Sequence, residues 1–286
     1  MNKKISLFFF LTILTLFFCC SNYKTKQYTS QTTGIGIKND NTVIVRVGYY
    51  LFDRVPGNFG PNDNEEDYSV YLLEKNIGQN NLTVKGGDNI AGDKEIVCHN
   101  NVIGVGGSVQ LSGGYNGVLL LSGDNYQILK TVNLSLGSFH DFTNDLNKIL
   151  FNNMEYDITT TTSTPILPPY PVLDAKYCPT NNALIAYVGE TFTAGNMQGD
   201  LYTINNDGTN MTDILSGYNI NNIYWNPNGN TIVFINNTGI WNVNKDGTGL
   251  SEIMAYSLPQ GYKYFALYYD LLAYVDVNDV VQTIKF

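Results

Sequence analysis

Arginine, histidine, cysteine and helical periodicity are all scarce in this chain of 286 residues. Arg46 and Arg54 are its only guanidinium groups, so few places could clamp a phosphate or carboxylate with two parallel bonds. Lys and Arg together number 16 against 25 Asp and Glu, a formal net charge of −9. Nucleic acid calls for a basic stripe, and this balance argues against such a partner. The two histidines, His99 and His140, belong to no His/Cys/Asp cluster at metal-ligand spacing. No stretch after Gly34 places apolar side chains at i, i+3, i+4 and i+7, which excludes amphipathic helices. The longest apolar run, Ile5 to Phe18, falls short of the ~20 residues that span a bilayer.

What the chain has is strand and turn. Its 21 Tyr and 14 Phe are good strand formers. Leu201-Tyr-Thr-Ile-Asn-Asn-Asp-Gly-Thr-Asn-Met-Thr-Asp-Ile214 is echoed without a gap by Ile240-Trp-Asn-Val-Asn-Lys-Asp-Gly-Thr-Gly-Leu-Ser-Glu-Ile253. In each copy an alternating strand meets an Asp-Gly turn, where Gly reaches positive φ and Asp bonds its own backbone. Between the copies, Ile223–Ile235 reads as strand, Asn226-Pro-Asn-Gly229 turn, and strand. A repeat near 40 residues with four short strands per unit predicts a β-propeller blade. Trp225 is expected to pack between neighbouring blades, where a large flat side chain buries most area.

Trp225-Asn226-Pro227-Asn228-Gly229, Asp207-Gly208-Thr209 and Asp246-Gly247-Thr248 resemble the TolB-like propeller repeat over about residues 174–254. Asn226 and Asn228 stand where that repeat usually has Ser and Asp; Asn serves in both turn roles. The resemblance implies the fold and not an activity. TolB-like proteins work in the envelope with a lipoprotein partner, but they carry an additional N-terminal α/β domain. Here a short polar stretch stands in its place, so their full role is not carried over.

Further blades follow from their middle strands. Tyr68–Glu74 with Asn81–Val84 marks one and Gly117–Leu129 a second. Phe142–Phe151 with Met154–Ile158 marks a third, and Tyr177–Tyr187 opens a fourth whose extra length is a loop, Gly189–Gly199. Ile223–Met254 is the fifth; Tyr262–Val275 with Val280–Phe286 begins a sixth. The fold expected is all-β, a propeller of six blades of about 42 residues, with five or seven left open by irregular stretches at 53–67 and 90–114. The sixth blade stops after three strands. The expectation is closure by pairing of N- and C-terminal strands, Val280–Phe286 against part of Gly34–Val47, because a ring leaves no edge unpaired.

Met1-Asn-Lys-Lys4, the apolar run and then Cys19-Cys20-Ser21 resemble a bacterial lipoprotein signal. Cys20 is the expected lipidation site, with Phe17 three places before it; Cys19 is the alternative. The expected organisation is a signal peptide over 1–19, a flexible tether over 20–33 and the propeller over 34–286. The protein would then sit in the cell envelope, held on a membrane by its N-terminal lipid.

Candidate chemistry is thin. Cys98 and Cys178 fall in the second and fourth blades, too far apart to bridge, and read as buried thiols. His140-Asp141 falls just before an inner strand, placed to face the channel, with a satisfied structural role the weightier reading. Asn205-Asn-Asp-Gly-Thr209 and its echo lack the alternating acids and terminal Glu of a calcium loop. Gly104-Val-Gly-Gly107 precedes no helix, so it is no dinucleotide fingerprint. Neither a catalytic residue, a metal ligand nor a cofactor is singled out. Two function classes stay open. One is a binding module whose loops converge on a rigid face to take an envelope protein, peptide or glycan. The other is a glycan- or peptide-processing hydrolase, which needs paired acids about 5–9.5 Å apart at the channel mouth.

Overall fold

The computed structural model describes residues 25–39, 41–54, 64–79, 81–88, 96–111, 115–134, 137–169, 171–193 and 196–286. The lipidation candidates Cys19 and Cys20 and the signal segment lie outside them. Within them, 23 strands form six antiparallel sheets. Blade 1 holds β1 (Thr25–Asn39), β2 (Thr42–Arg54), β3 (Asn64–Asn76) and β4 (Thr83–Asp88). Blade 2 holds β5 (Ile96–His99), β6 (Val102–Leu111), β7 (Tyr115–Ser122) and β8 (Ile128–Asn133). Blade 3 holds β9 (Phe139–Phe142), β10 (Lys148–Phe151), β11 (Met154–Asp157) and β12 (Thr162–Pro165). Blade 4 holds β13 (Val172–Cys178), β14 (Asn181–Thr193), β15 (Asn196–Asn205) and β16 (Thr212–Leu215). Blade 5 holds β17 (Asn222–Trp225), β18 (Thr231–Ile235), β19 (Gly239–Asn244) and β20 (Ser251–Ala255). Blade 6 has three strands, β21 (Tyr264–Tyr268), β22 (Leu271–Val275) and β23 (Val281–Lys285). The protein is a six-bladed β-propeller.

The repeat turns do what their residues dictate. Gly208 and Gly247 sit at φ 80° and 83°, in the left-handed region. Beside them, the Asp207 and Asp246 carboxylates each accept from the N–H and hydroxyl of Thr209 and Thr248. Those carboxylates are spent on the turn, and among the described residues no cluster could hold a metal ion.

Apolar side chains collect between blades rather than at one centre. Six buried clusters correspond to the six interfaces of the ring. Trp225 is buried against Cys178, Ala186 and Leu201 of blade 4, and its indole N–H reaches the Lys176 carbonyl at 3.1 Å. Gly104 and Gly106 of Gly104-Val-Gly-Gly107 also serve this packing. A Cβ on Gly104 would lie 2.7 Å from the Phe139 ring, and one on Gly106 would strike the Phe139 side chain outright.

Ring closure differs from expectation. Among the described residues β23 pairs with β22 alone, while Gly34–Lys38 and Thr42–Val47 pair with each other as the inner strands of blade 1. The ends meet face to face instead. Ile35, Ile37, Val43, Val45 and Leu73 pack on Leu271, Ala273, Val275 and Val281. The edge of β23 is tied by Lys75, whose Nζ donates to the Val281 carbonyl at 2.7 Å. Both N-terminal strands find their backbone partners inside blade 1, and burial of the valines is satisfied by the face contact. Two boundaries move for the same reason. β1 begins at Thr25, pairing with Arg54, so residues 25–33 are strand rather than tether. Gly189–Gly199, expected as a loop, is the ladder of β14 and β15 carried on to Thr193↔Asn196.

Candidate functional site: the central channel

The inner strands of all six blades line a cavity of about 690 Å³ on the ring axis. Blades 2 to 4 give it a hydrogen-bonding wall. His99 and Asp141, 42 residues apart, are one blade period apart and therefore meet across neighbouring inner strands. His99 Nε2 lies 3.1 Å from Asp141 Oδ1, and the imidazole stacks on Phe142 at 3.9 Å between centroids. The second Asp141 oxygen accepts the Tyr177 N–H of blade 4 at 2.8 Å. Asp174 repeats the strap one blade on, accepting the Ile223 N–H at 3.0 Å and the Asn222 amide at 2.7 Å. Its other oxygen takes the Ala175 N–H and the Lys176 ammonium. At the mouth where the inner strands end, the Asn100 amide donates to Asn144, and Asn144 donates to the Pro179 carbonyl at 3.1 Å.

Blades 5 and 6 give an aromatic wall of Tyr224, Tyr262, Tyr264, Phe265 and Tyr268. Tyr224 and Tyr268 stand 4.6 Å apart, and Tyr262 meets Phe265 edge-on at 5.5 Å. Burial, reinforced by the Tyr268 hydroxyl, pushes the Tyr224 phenol far up, so it remains a neutral hydrogen-bonding group.

The cationic groups on the lining are matched. Lys38 bonds Glu74 at 2.7 Å, Lys176 bonds Asp174 at 2.5 Å and Lys263 forms an ion pair with Asp279 at 2.8 Å. Burial alone would raise the Glu74 carboxyl, but hydrogen bonds from Lys38, Tyr126 and Lys85 outweigh it and hold the group below its usual range. Cys98 and Cys178 are buried free thiols in the second and fourth blades, as expected. Burial pushes the Cys98 thiol up to about 12.

With its channel walls in place, the molecule can be set beside known shapes. It is built like other propellers. No protein-family model and no curated protein matches the sequence. Among solved structures it is similar to the TolB candidate of Agrobacterium tumefaciens, with 13% identity and a TM-score of 0.51 over 73% of this chain and 77% of that one. It is also similar to a chain of the nidogen/laminin complex, with 10% identity and a TM-score of 0.52 over 75% and 86%. A third is the WD40 domain of Neurospora crassa Pan2, at 12% identity and TM-score 0.50 over 90% and 91%. At these identities the likeness speaks for the fold alone.

The pair His140-Asp141 is split by the structure. Asp141 lines the channel; His140, in a β9 bulge opposite Leu150 and Phe151, does not. His140 is 1% exposed, and neither ring nitrogen makes a hydrogen bond of good geometry, the Asn152 main chain offering only a weak one, so it is a poorly satisfied core histidine. Burial lowers its pKa to about 4, aided by Lys176 and opposed by Asp174, Asp141 and the Asn152 main chain. Arg46 is fully buried in blade 1, where Nη1 donates to the Thr33 hydroxyl, and takes no part in the channel lining. The partner that sequence reasoning missed is His99. Its signal was the spacing to Asp141, equal to one blade.

At the other mouth, where inner strands begin, the central hairpins of blades 2 and 4 outrun them, and in blade 1 the inner strand β1 extends together with β2 and β3. β14 continues past Gly189, which pairs with Val172 at the start of the inner strand, as far as Thr193. β6 continues past Val105 to Leu111, and β2 past Val47 to Arg54. At ~3.3 Å per residue these ladders project roughly 13–23 Å from the ring.

Proposed function

We propose that this chain is a membrane-anchored lipoprotein of the bacterial envelope, acylated at Cys20, whose propeller docks a protein partner on the face bearing the projecting hairpins. The observation that carries the reading is that projection: blades 1, 2 and 4 raise two- and three-stranded ladders from the same face of a rigid ring. Ladders fixed at their base hold their position at little entropic cost on binding. The similar chain in the nidogen/laminin complex is itself part of a protein–protein assembly, which supports the reading by analogy. The hydrolase alternative is less well served. Asp141 spends its two oxygens on blades 2 and 4, and Asp174 spends one on blade 5 and the other on Ala175 and Lys176 of its own strand, leaving little freedom for acid–base exchange.

Crosslinking in intact envelopes tests the docking. Wild-type protein should capture a defined envelope protein, and a variant with Glu190–Gln198 replaced by a two-residue Asn-Gly turn should capture less. Recovery of nothing, together with turnover of a glycan or peptide library, would overturn the reading. Palmitate labelling that survives Cys20→Ala but not Cys19→Ala moves the anchor one residue; labelling in neither wild type nor variant removes it.

A further inference from the structure

We propose that the channel is a binding site for a small neutral saccharide, separate from the protein-docking face. The first argument is charge. Lys38, Lys176 and Lys263, the lysines on the lining, are each bonded to a carboxylate. Among the described residues no cation on the lining is left over to select a phosphate or uronate. Asp141 and Asp174 are likewise engaged at both oxygens, which leaves no uncommitted carboxylate to select an ammonium ligand. A site so neutralised, yet rich in polar groups, favours a ligand that is polar and uncharged.

The second argument is the division of the walls. In a ring of six, blade 5 lies across from blade 2 and blade 6 from blade 3. Tyr224 therefore stands across from His99, and the Tyr262–Tyr268 stretch across from Asp141. A pyranose has the same two-sidedness: weakly positive C–H groups on its faces suit the negative face of an aromatic ring, and its hydroxyls both donate and accept. On the opposing wall His99 offers an accessible group. Nε2 is held by Asp141, while Nδ1 is neither bonded within the protein nor buried. Asn222, Asn144 and Asn100 add amide groups, each of which has hydrogen-bonding capacity beyond the one or two bonds it makes inside the protein. The third argument is size. The cavity of about 690 Å³ lies inside the ~300–1,000 Å³ range of small-molecule sites and is too narrow for a folded partner.

Saturation-transfer NMR on the full chain in detergent tests this, with neutral mono- to tetrasaccharides of glucose and N-acetylglucosamine as probes. At least one should receive magnetisation, and Tyr268→Ala and His99→Ala should each weaken its binding about tenfold, while Tyr268→Phe stays within about threefold. Tyr262→Ala serves beside them, because Tyr262 is 36% exposed at the mouth where the inner strands begin, opposite the Asn100 and Asn144 end, and so reads how far a bound saccharide reaches along the channel. Failure of every neutral probe overturns the proposal. So does transfer confined to a glucuronate-containing disaccharide or to trialanine, or saccharide binding that all three alanine variants retain. Trimming the docking hairpins should leave the saccharide signal unchanged, so loss of the partner and loss of the sugar site are read separately.

Discussion

His140 should make this propeller lose stability on mild acidification. The imidazole is buried between blades 3 and 4 with no hydrogen bond of good geometry to either nitrogen, and its pKa falls from 6.5 to about 4. The unfolded chain therefore binds the proton more readily than the folded one at any pH between those values. Stability is fully present above about pH 6.5, falls as pH drops toward about 4, and levels off below. The full shift corresponds to about 3 kcal/mol. About 2 kcal/mol of it is lost between pH 7 and pH 5, a window in which the lowered carboxylates stay ionised. Urea unfolding followed by intrinsic fluorescence at pH 7, 6 and 5 reads this directly, with His140→Leu as the comparison. The variant removes two buried polar atoms that each cost about 1–3 kcal/mol when left without a partner. It should be at least as stable as wild type at pH 7 and should surpass it by about 2 kcal/mol more at pH 5. Parallel pH profiles for the two proteins would refute the reasoning, because His140 would then be finding a partner or a proton in the folded state.

Trp225→Ala should cost about 3–5 kcal/mol in the same unfolding assay, since it opens a cavity between blades 4 and 5 and releases the Lys176 carbonyl; a cost below 1 kcal/mol would mean the interface collapses around it. Deleting 280–286 removes Val281 from the closing interface together with the Lys75 tie, and should lower the melting temperature by roughly 5–10 °C or cause aggregation through the bared edge of β22; melting at the wild-type temperature would show that the face contact closes the ring alone. Cys98, buried with its thiol pushed up to about 12, should resist iodoacetamide at pH 8 until urea unfolds the ring; labelling of the native protein within minutes would contradict that burial.

How much of this was legible in the chain can be argued element by element. The Asp-Gly turns, the alternation in Leu201–Ile204 and the Trp225 turn specify hairpins locally, within a few residues of one another. Their spacing then specified a blade repeat and pointed to six blades, with the irregular stretches at 53–67 and 90–114 leaving five or seven open until the structure counted them. The three-strand sixth blade was legible too. Its closure was not, because alternating valines at Val43, Val45 and Val47 state that a face must be buried without stating whether a strand edge or another face will cover it. Only the tertiary structure chose, by giving β1 its hydrogen bonds inside blade 1 and its apolar face to blade 6. The same limit hid the channel site. His99 and Asp141 are ordinary residues in separate strands until the ring turns one blade period into 3.1 Å. His140, adjacent to Asp141 in sequence, was carried away from the channel by a single bulged residue. Turns and strands answer to neighbours along the chain, whereas the neutralised lysines, the aromatic wall and the orphaned imidazole depend on which blades come to face each other.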